Sequence, residues 1–354
     1  MKTSPPEASL ERIHNAATRI GRPVRLMEVC GTHTHVVARN GLRSLFPENV
    51  ALMSGPGCPV CVTAQHDVQR MISLARLPGV TVCTFGDMIR VPGNDSSLEQ
   101  ERAAGADVRI VYSPDDAVAF ARKNPEREVA FLAVGFETTA PTIAAAALAA
   151  ADAGVANFSL YVSHKLIPPA MAAVLSGETR IDGFMTPGHV TTIIGSAAYE
   201  TLASEHAIPC VTTGFDPPDV LEGVAMLLEK IAAGESGSFI QYRRAVTRHG
   251  NARARDIMYR LFEVADADWR GLGVIANSGL KLRPAREALD ACRRFSLPDA
   301  AAVEIPGCRC GEVLSGMLQP DDCPMFGATC TPRNPLGPCM VSSEGSCAAR
   351  YRYG

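Results

Sequence analysis

Nine of the twelve cysteines lie in two groups whose residue types and spacing can do chemistry. Upstream, Cys30 opens the run Cys30-Gly31-Thr32-His33-Thr34-His35, and Cys58 and Cys61 frame Gly55-Pro56-Gly57-Cys58-Pro59-Val60-Cys61. A thiolate near an imidazole serves as nucleophile or iron ligand while the imidazole manages protons. The plainer reading of Cys30 is a buried strand-end cysteine followed by helix-capping threonines. The Cys58/Cys61 pair follows a glycine-proline turn and precedes a helix predicted from about Thr63. There the helix N-terminus lowers a thiol pKa and the spacing lets a disulfide form and open; half of a metal site is the other reading.

The second group is Cys308, Cys310, Cys323, Cys330, Cys339 and Cys347. Four of them, Cys308, Cys323, Cys330 and Cys347, are separated by fourteen, six and sixteen residues, with Cys310 and Cys339 as further candidates. Four thiolates satisfy tetrahedral zinc or a cubane iron–sulfur cluster. Zinc ribbons use paired CxxC knuckles, and this segment has no CxxC and no histidine, so its irregular Pro/Gly-rich spacing favours iron–sulfur. Cys83, Cys210 and Cys292 have no cysteine neighbours and read as core residues.

The chain that must position these groups has 354 residues, enough for two or three domains. A net charge of −3 gives no reason to expect nucleic acid. The N-terminus lacks a signal-peptide core, and the most apolar stretch, 143–151, is too short to span a bilayer. The expectation is a soluble cytoplasmic protein without membrane association. In that reducing compartment the cysteines are metal ligands, redox thiols or core residues rather than structural staples.

Short apolar runs at 24–29, 50–53, 80–85, 108–112, 129–134, 158–162, 181–185 and 210–213 alternate with segments of helical period. This pattern predicts an α/β fold of βαβ units with parallel sheets. The reading is two α/β domains, 24–123 with Cys30 and the Cys58/Cys61 pair and 124–215 as a structural duplicate. A mixed helical domain at 216–354 follows, ending in the cysteine-rich, iron–sulfur-binding tail. The unusual residues follow strands directly, among them Asp87, Glu137, His164, Lys165 and His189. Ligands bind beyond the carboxyl ends of parallel strands, so these loops are expected to face one cleft. Glu137 reads as a cation or proton site or a helix cap, and His164-Lys165 and His189 as anion contacts or local backbone partners.

Together the motifs resemble the HypD family of hydrogenase maturation factors along nearly the whole chain. The matching runs include Glu28-Val29-Cys30-Gly31-Thr32-His33-Thr34-His35, the Gly55–Cys61 run and Gly135-Phe136-Glu137-Thr138-Thr139-Ala140-Pro141. His164-Lys165-Leu166-Ile167-Pro168-Pro169, Pro187-Gly188-His189-Val190 and Gly337-Pro338-Cys339-Met340-Val341-Ser342-Ser343-Glu344-Gly345 also match. Two departures are small: Asp216 stands where Glu is expected, and Ala276 where Pro is expected. The resemblance implies a scaffold for the Fe(CN)2CO unit of [NiFe]-hydrogenase, working with a HypC-like chaperone and receiving cyanide from a HypE-like donor with HypF upstream. It implies Cys30, Cys58 and Cys61 as the thiols handling an iron ion, with His33 beside them. It further implies a [4Fe-4S] cluster on Cys308, Cys323, Cys330 and Cys347, with Cys310 and Cys339 as non-ligands. From the residues alone, a metal-independent thiol–disulfide oxidoreductase and a zinc-stabilised binding module remain alternatives.

Overall fold

A computed structural model describes the chain apart from residues 1–4, 178, 298, 302 and 304. Its strands are β1 (Val24–Glu28), β2 (Val50–Ser54), β3 (Val80–Thr84), β4 (Asp107–Ile110), β5 (Glu128–Gly135) and β6 (Phe158–His164). They continue with β7 (Gly183–Pro187), β8 (Pro209–Thr213), β9 (Gly237–Ile240), β10 (Phe262–Trp269) and β11 (Gly273–Leu282). The first nine form two parallel sheets, in orders β2-β1-β7-β8-β9 and β4-β3-β5-β6, while β10 and β11 make an antiparallel ribbon. The α/β architecture of parallel βαβ units is the one expected. Parallel strands covered by helices on both faces are buried along nearly their whole length, as in β3 and β5.

The sheets do not divide where the sequence reading divided them. β1 and β2 share a sheet with β7 and β8 rather than with β3 and β4, so 24–123 and 124–215 are not separate sheets. β1 is buried along most of its length and takes a parallel neighbour on each side: Leu26 pairs with Leu52 of β2 and with Gly183 of β7. Apolar alternation announces strands but carries no information about which strand completes a neighbour's hydrogen bonds. The segment after residue 216 is likewise not independent, because β9 extends the first sheet beside β8.

This interleaving has a functional consequence. The chain passes between the sheets twice, through residues 55–79 and through residues 165–182. The Cys58/Cys61 run sits on the first crossing and the helix Ile167–Leu175 on the second. The carboxyl ends of strands from both sheets therefore meet near one region. The C-terminal segment returns to it: the helix Ser346–Tyr353 packs on the helix Gly31–Arg39 that follows β1. Arg90 donates to Val341 O at 3.0 Å and Ser342 to Asp87 at 2.7 Å, which fixes that return. Among the described residues no helix is long and apolar enough to cross a membrane.

Candidate metal and thiol site

A cleft of about 480 Å³ opens where the two sheets' carboxyl ends converge. Its walls carry Cys30 and Thr32 after β1, Pro59 and Val60 after β2, Asp87 after β3, Phe136 and Thr138 after β5, His189 after β7, and Glu344 from the tail. The expectation that loops after strands share one cleft holds for these residues.

Cys30 is half-buried and caps the helix Gly31–Arg39 with extended backbone angles (φ −152°, ψ 121°). Burial, then the Glu344 charge, pushes its thiol up to about 12, against the lowering effect of the His33 and Thr32 backbone N–H groups. At neutral pH it is therefore a thiol, and a metal must displace the proton to bind. Under it lies Glu28, wholly buried, accepting from Cys30 N at 3.1 Å and from Thr34 Oγ1 at 2.5 Å. Burial raises the Glu28 carboxyl to about 7, opposed by hydrogen bonds from Ser54, Thr34 and Cys30. Thr32 donates to Glu344 Oε1 at 2.8 Å, so the tail carboxylate is anchored one turn from the thiol.

His33 does not line the cleft. Its ring is fully buried, with Nε2 2.9 Å from Gly214 O and the ring stacked on Phe215 at 4.8 Å. Burial lowers its pKa to about 4, so it is neutral. With Nε2 donating to the carbonyl, Nδ1 is left as a bare acceptor that finds no hydrogen-bond partner among the described residues. The imidazole on the cleft wall is that of His189, which packs on the same Phe215 at 4.0 Å and is also lowered by burial. A helical period places residue 33 one turn below the cap, pointing into the packing against the β8 loop, whereas His189 follows β7 directly.

Cys58 and Cys61 are joined as a disulfide and are 3% and 0% exposed. Neither sulfur lines the cleft; Pro59 and Val60 form the wall and the disulfide lies behind it. Cys61 Sγ is 3.9 Å from Pro338 O, so the pair abuts the tail next to Cys339.

All six tail cysteines line one narrow, partly open chamber, together with Arg309, Val313, Met325, Phe326, Leu336 and Met340. Cys310 sits between Cys308 and Cys339, in side-chain contact with both. Cys347 has Cys330, Cys310, Cys308 and Cys323 around it. Among the described residues no three His, Cys, Asp or Glu side chains are arranged to hold a single metal ion. A cubane cluster differs in requirement, since its four thiolates bind four separate irons. Six thiols facing one apolar chamber without a competing histidine or carboxylate are a donor set that fits such a cluster.

A sequence profile of the family described as "HypD: Hydrogenase formation hypA family" matches residues 6–354. The chain belongs to the HypD family. The hydrogenase maturation factor HypD of Rhizobium leguminosarum bv. viciae is 46% identical over 342 residues, covering 94% of this chain and 89% of that protein. The protein of the same name from Escherichia coli K12 is 45% identical over 345 residues, covering 97% and 92%. That from Azotobacter vinelandii is 46% identical over 341 residues, covering 94% and 90%.

Not every residue of these runs faces the cleft. Glu137 is buried behind Phe136 and accepts from Ile167 N at 3.0 Å, capping the helix of the second crossing rather than facing the cleft. His164 is buried against Phe262, and Lys165 lies 3.8 Å from Asp67. Asp87 and Glu344 line the cleft although the motifs gave them no assigned role. Asp87 stands in a strand-following loop, a signal that was present; Glu344 is brought in from 312 positions downstream by contact with Thr32, which no local pattern announces.

Proposed function

We propose that the chain acts in hydrogenase maturation, as a redox-active scaffold on which an Fe(CN)2CO unit is assembled before transfer to the hydrogenase. The relatives' shared designation as hydrogenase maturation factors supports the process. One arrangement supports the mechanism: the Cys30 thiol opens into a cleft whose wall is backed by a disulfide, and that disulfide abuts the six-cysteine chamber.

The iron unit is the cargo, and Cys30 is its thiolate anchor. Soft sulfur donors suit iron carrying cyanide and carbonyl. The thiol proton leaves as the metal binds, and Glu344 is a carboxylate on the same cleft wall able to take it. His189 faces the same space as a neutral imidazole able to donate or accept a hydrogen bond at a metal-bound ligand. His33 acts through Phe215, holding the loop on which His189 rests. The cleft opens to solvent, leaving room for a second thiolate from a HypC-like chaperone and for delivery by a HypE-like donor.

In the chamber, Cys308, Cys323, Cys330 and Cys347 would hold a [4Fe-4S] cluster. When bound, such a cluster supplies single electrons at low potential. Opening the Cys58–Cys61 disulfide consumes two electrons and two protons and yields two thiols. Pro338 and Cys339, between chamber and disulfide, keep the two sites in van der Waals continuity.

The burial of both disulfide sulfurs speaks against a general thiol–disulfide oxidoreductase, whose sulfur must be reached by a protein thiolate. The test is complementation in a hydrogenase-forming cell lacking its own copy. Cys30→Ala and Cys61→Ala are expected to abolish hydrogenase activity while Cys83→Ala retains it. Full activity with Cys30→Ala would sink the scheme.

A further inference from the structure

The tip of the ribbon β10–β11 lies between the cleft wall, the turn after the Cys58–Cys61 pair and the segment bearing Cys308 and Cys310. Trp269 stacks on Phe136 of the cleft wall at 6.1 Å and bridges Thr63, two residues after Cys61. The next residue, Arg270, donates its backbone N–H to Val62 O at 3.0 Å and its Nε–H to Thr63 O at 2.9 Å. On its other side Gly271, at φ +76°, packs back-to-back with Gly311, so closely that a Cβ on either would overlap the other's backbone. That contact presses the tip onto the segment of Cys308 and Cys310. A groove of about 420 Å³ runs along the seam, with Arg270, Cys308 and Cys310 on its wall. The other charged groups there are Asp268, which faces His66, and Arg309 and Glu312, which pair with each other.

We propose that Arg270 is a positioning residue for the two thiol sites: it ties the turn after the Cys58–Cys61 pair to the segment bearing Cys308 and Cys310, and it sets a fixed positive charge beside those sulfurs. Arg270 shares the wall of that groove with both Cys308 and Cys310. A cation at that wall favours electron-rich sulfur in the chamber, while its hydrogen bonds hold the disulfide turn at a constant distance. The purpose of the arrangement rests on the redox scaffold proposed above; the placement of the charge does not.

The test uses the full-length protein, reduced and freed of iron, with two alkylating reagents of similar size. Iodoacetamide is neutral and iodoacetate is anionic, and both consume the same thiolate, so their rate ratio at one cysteine reports local charge independently of thiol pKa. Adducts are mapped by mass spectrometry. Arg270→Met is expected to lower the iodoacetate-to-iodoacetamide ratio at Cys308 and Cys310 about threefold at low salt, less at high salt, and to leave Cys292 unchanged. Arg270→Lys restores the charge and is expected to restore the ratio. Should Arg270→Met fail to fold, Arg270→Gln removes the charge while keeping a donor for Thr63 O, and is read the same way. A ratio unchanged by loss of the charge overturns the proposal. Absence of iron and sulfide from the anaerobically purified native protein would instead overturn the scaffold reading and leave this one standing.

Discussion

Gly57 lies against the backbone of Cys30 so closely that any Cβ at residue 57 would overlap Cys30 N and Cα. Gly31 N donates to Gly57 O at 2.9 Å across the same contact. The turn that carries Cys58 is thus fitted to the cap that carries Cys30, and β1 and β2, in register from Val24↔Val50 to Glu28↔Ser54, bring the two there. Glycine is required at 57 for close approach, not for an unusual φ.

Gly57→Ala should therefore displace the Cys30 cap. Forcing a methyl into packed backbone costs ~1–3 kcal/mol, read by urea unfolding. Reactivity of Cys30 towards a small alkylating reagent should rise with it. Gly86→Ala, also on the cleft wall, meets only Ile110 at 3.8 Å and should leave both measurements unchanged. Equal behaviour of the two variants would refute the fitted-turn account.

Stability should depend on pH through Glu137. Burial raises its carboxyl to about 7, opposed by backbone hydrogen bonds. A carboxyl raised on folding stabilises the native state below its unfolded pKa, and that contribution is lost as pH rises through the folded value. The window is about pH 4.5 to 7, and the loss is about 3 kcal/mol when complete. His33 and His164, lowered by burial to about 4 and 3, act oppositely: their contribution is lost as pH falls below the ordinary histidine value. Comparing Glu137→Gln with the native protein isolates the first effect. The glutamine protein should gain stability relative to native between pH 5 and 8 in urea titrations; parallel curves would count against a buried, neutral Glu137.

Because the Cys58–Cys61 disulfide is behind the cleft wall, it should resist protein thiols. In an insulin-reduction assay with dithiothreitol the chain should show no catalysis, while small reductants open its disulfide slowly. Turnover comparable to a thioredoxin would revive the oxidoreductase reading.

The tail series distinguishes ligands from neighbours where the chamber alone does not. Serine at Cys308, Cys323, Cys330 or Cys347 should reduce iron and sulfide content to near zero, whereas Cys310→Ser and Cys339→Ser should retain them. If Cys310→Ser loses the iron and Cys308→Ser keeps it, the two exchange roles.

The eight strands and the convergence of their loops were readable because buried parallel strands are rich in apolar and β-branched residues and their loops concentrate Gly, Pro and His. Strand partners were not, since β7 completes β1 by pairing Leu26–Glu28 with Gly183–Met185, residues far away in sequence. β10 escaped notice because Glu263, Asp266 and Asp268 interrupt an apolar run on a ribbon that is largely solvated. The short β9 is half-exposed at a sheet edge and carries little periodicity. Cys30, Cys58 and Cys61 stand out from local spacing; Cys30 lines the cleft, and the Cys58–Cys61 disulfide lies behind its wall. His33 was placed in the wrong neighbourhood because proximity in sequence to Cys30 does not say which face of the helix a side chain takes. Arg270 had no local signal, since its partners come from residues 62–63 and 308–311.

The central claim is that Cys30 anchors a cyanide- and carbonyl-bearing iron. Infrared spectroscopy of the anaerobically purified complex with a HypC-like partner addresses it most directly. The native protein should show cyanide and carbonyl stretching bands, and Cys30→Ala should lose them while keeping the iron and sulfide of its tail. Bands of full intensity from Cys30→Ala, or none from a native complex that matures hydrogenase, would contradict the account.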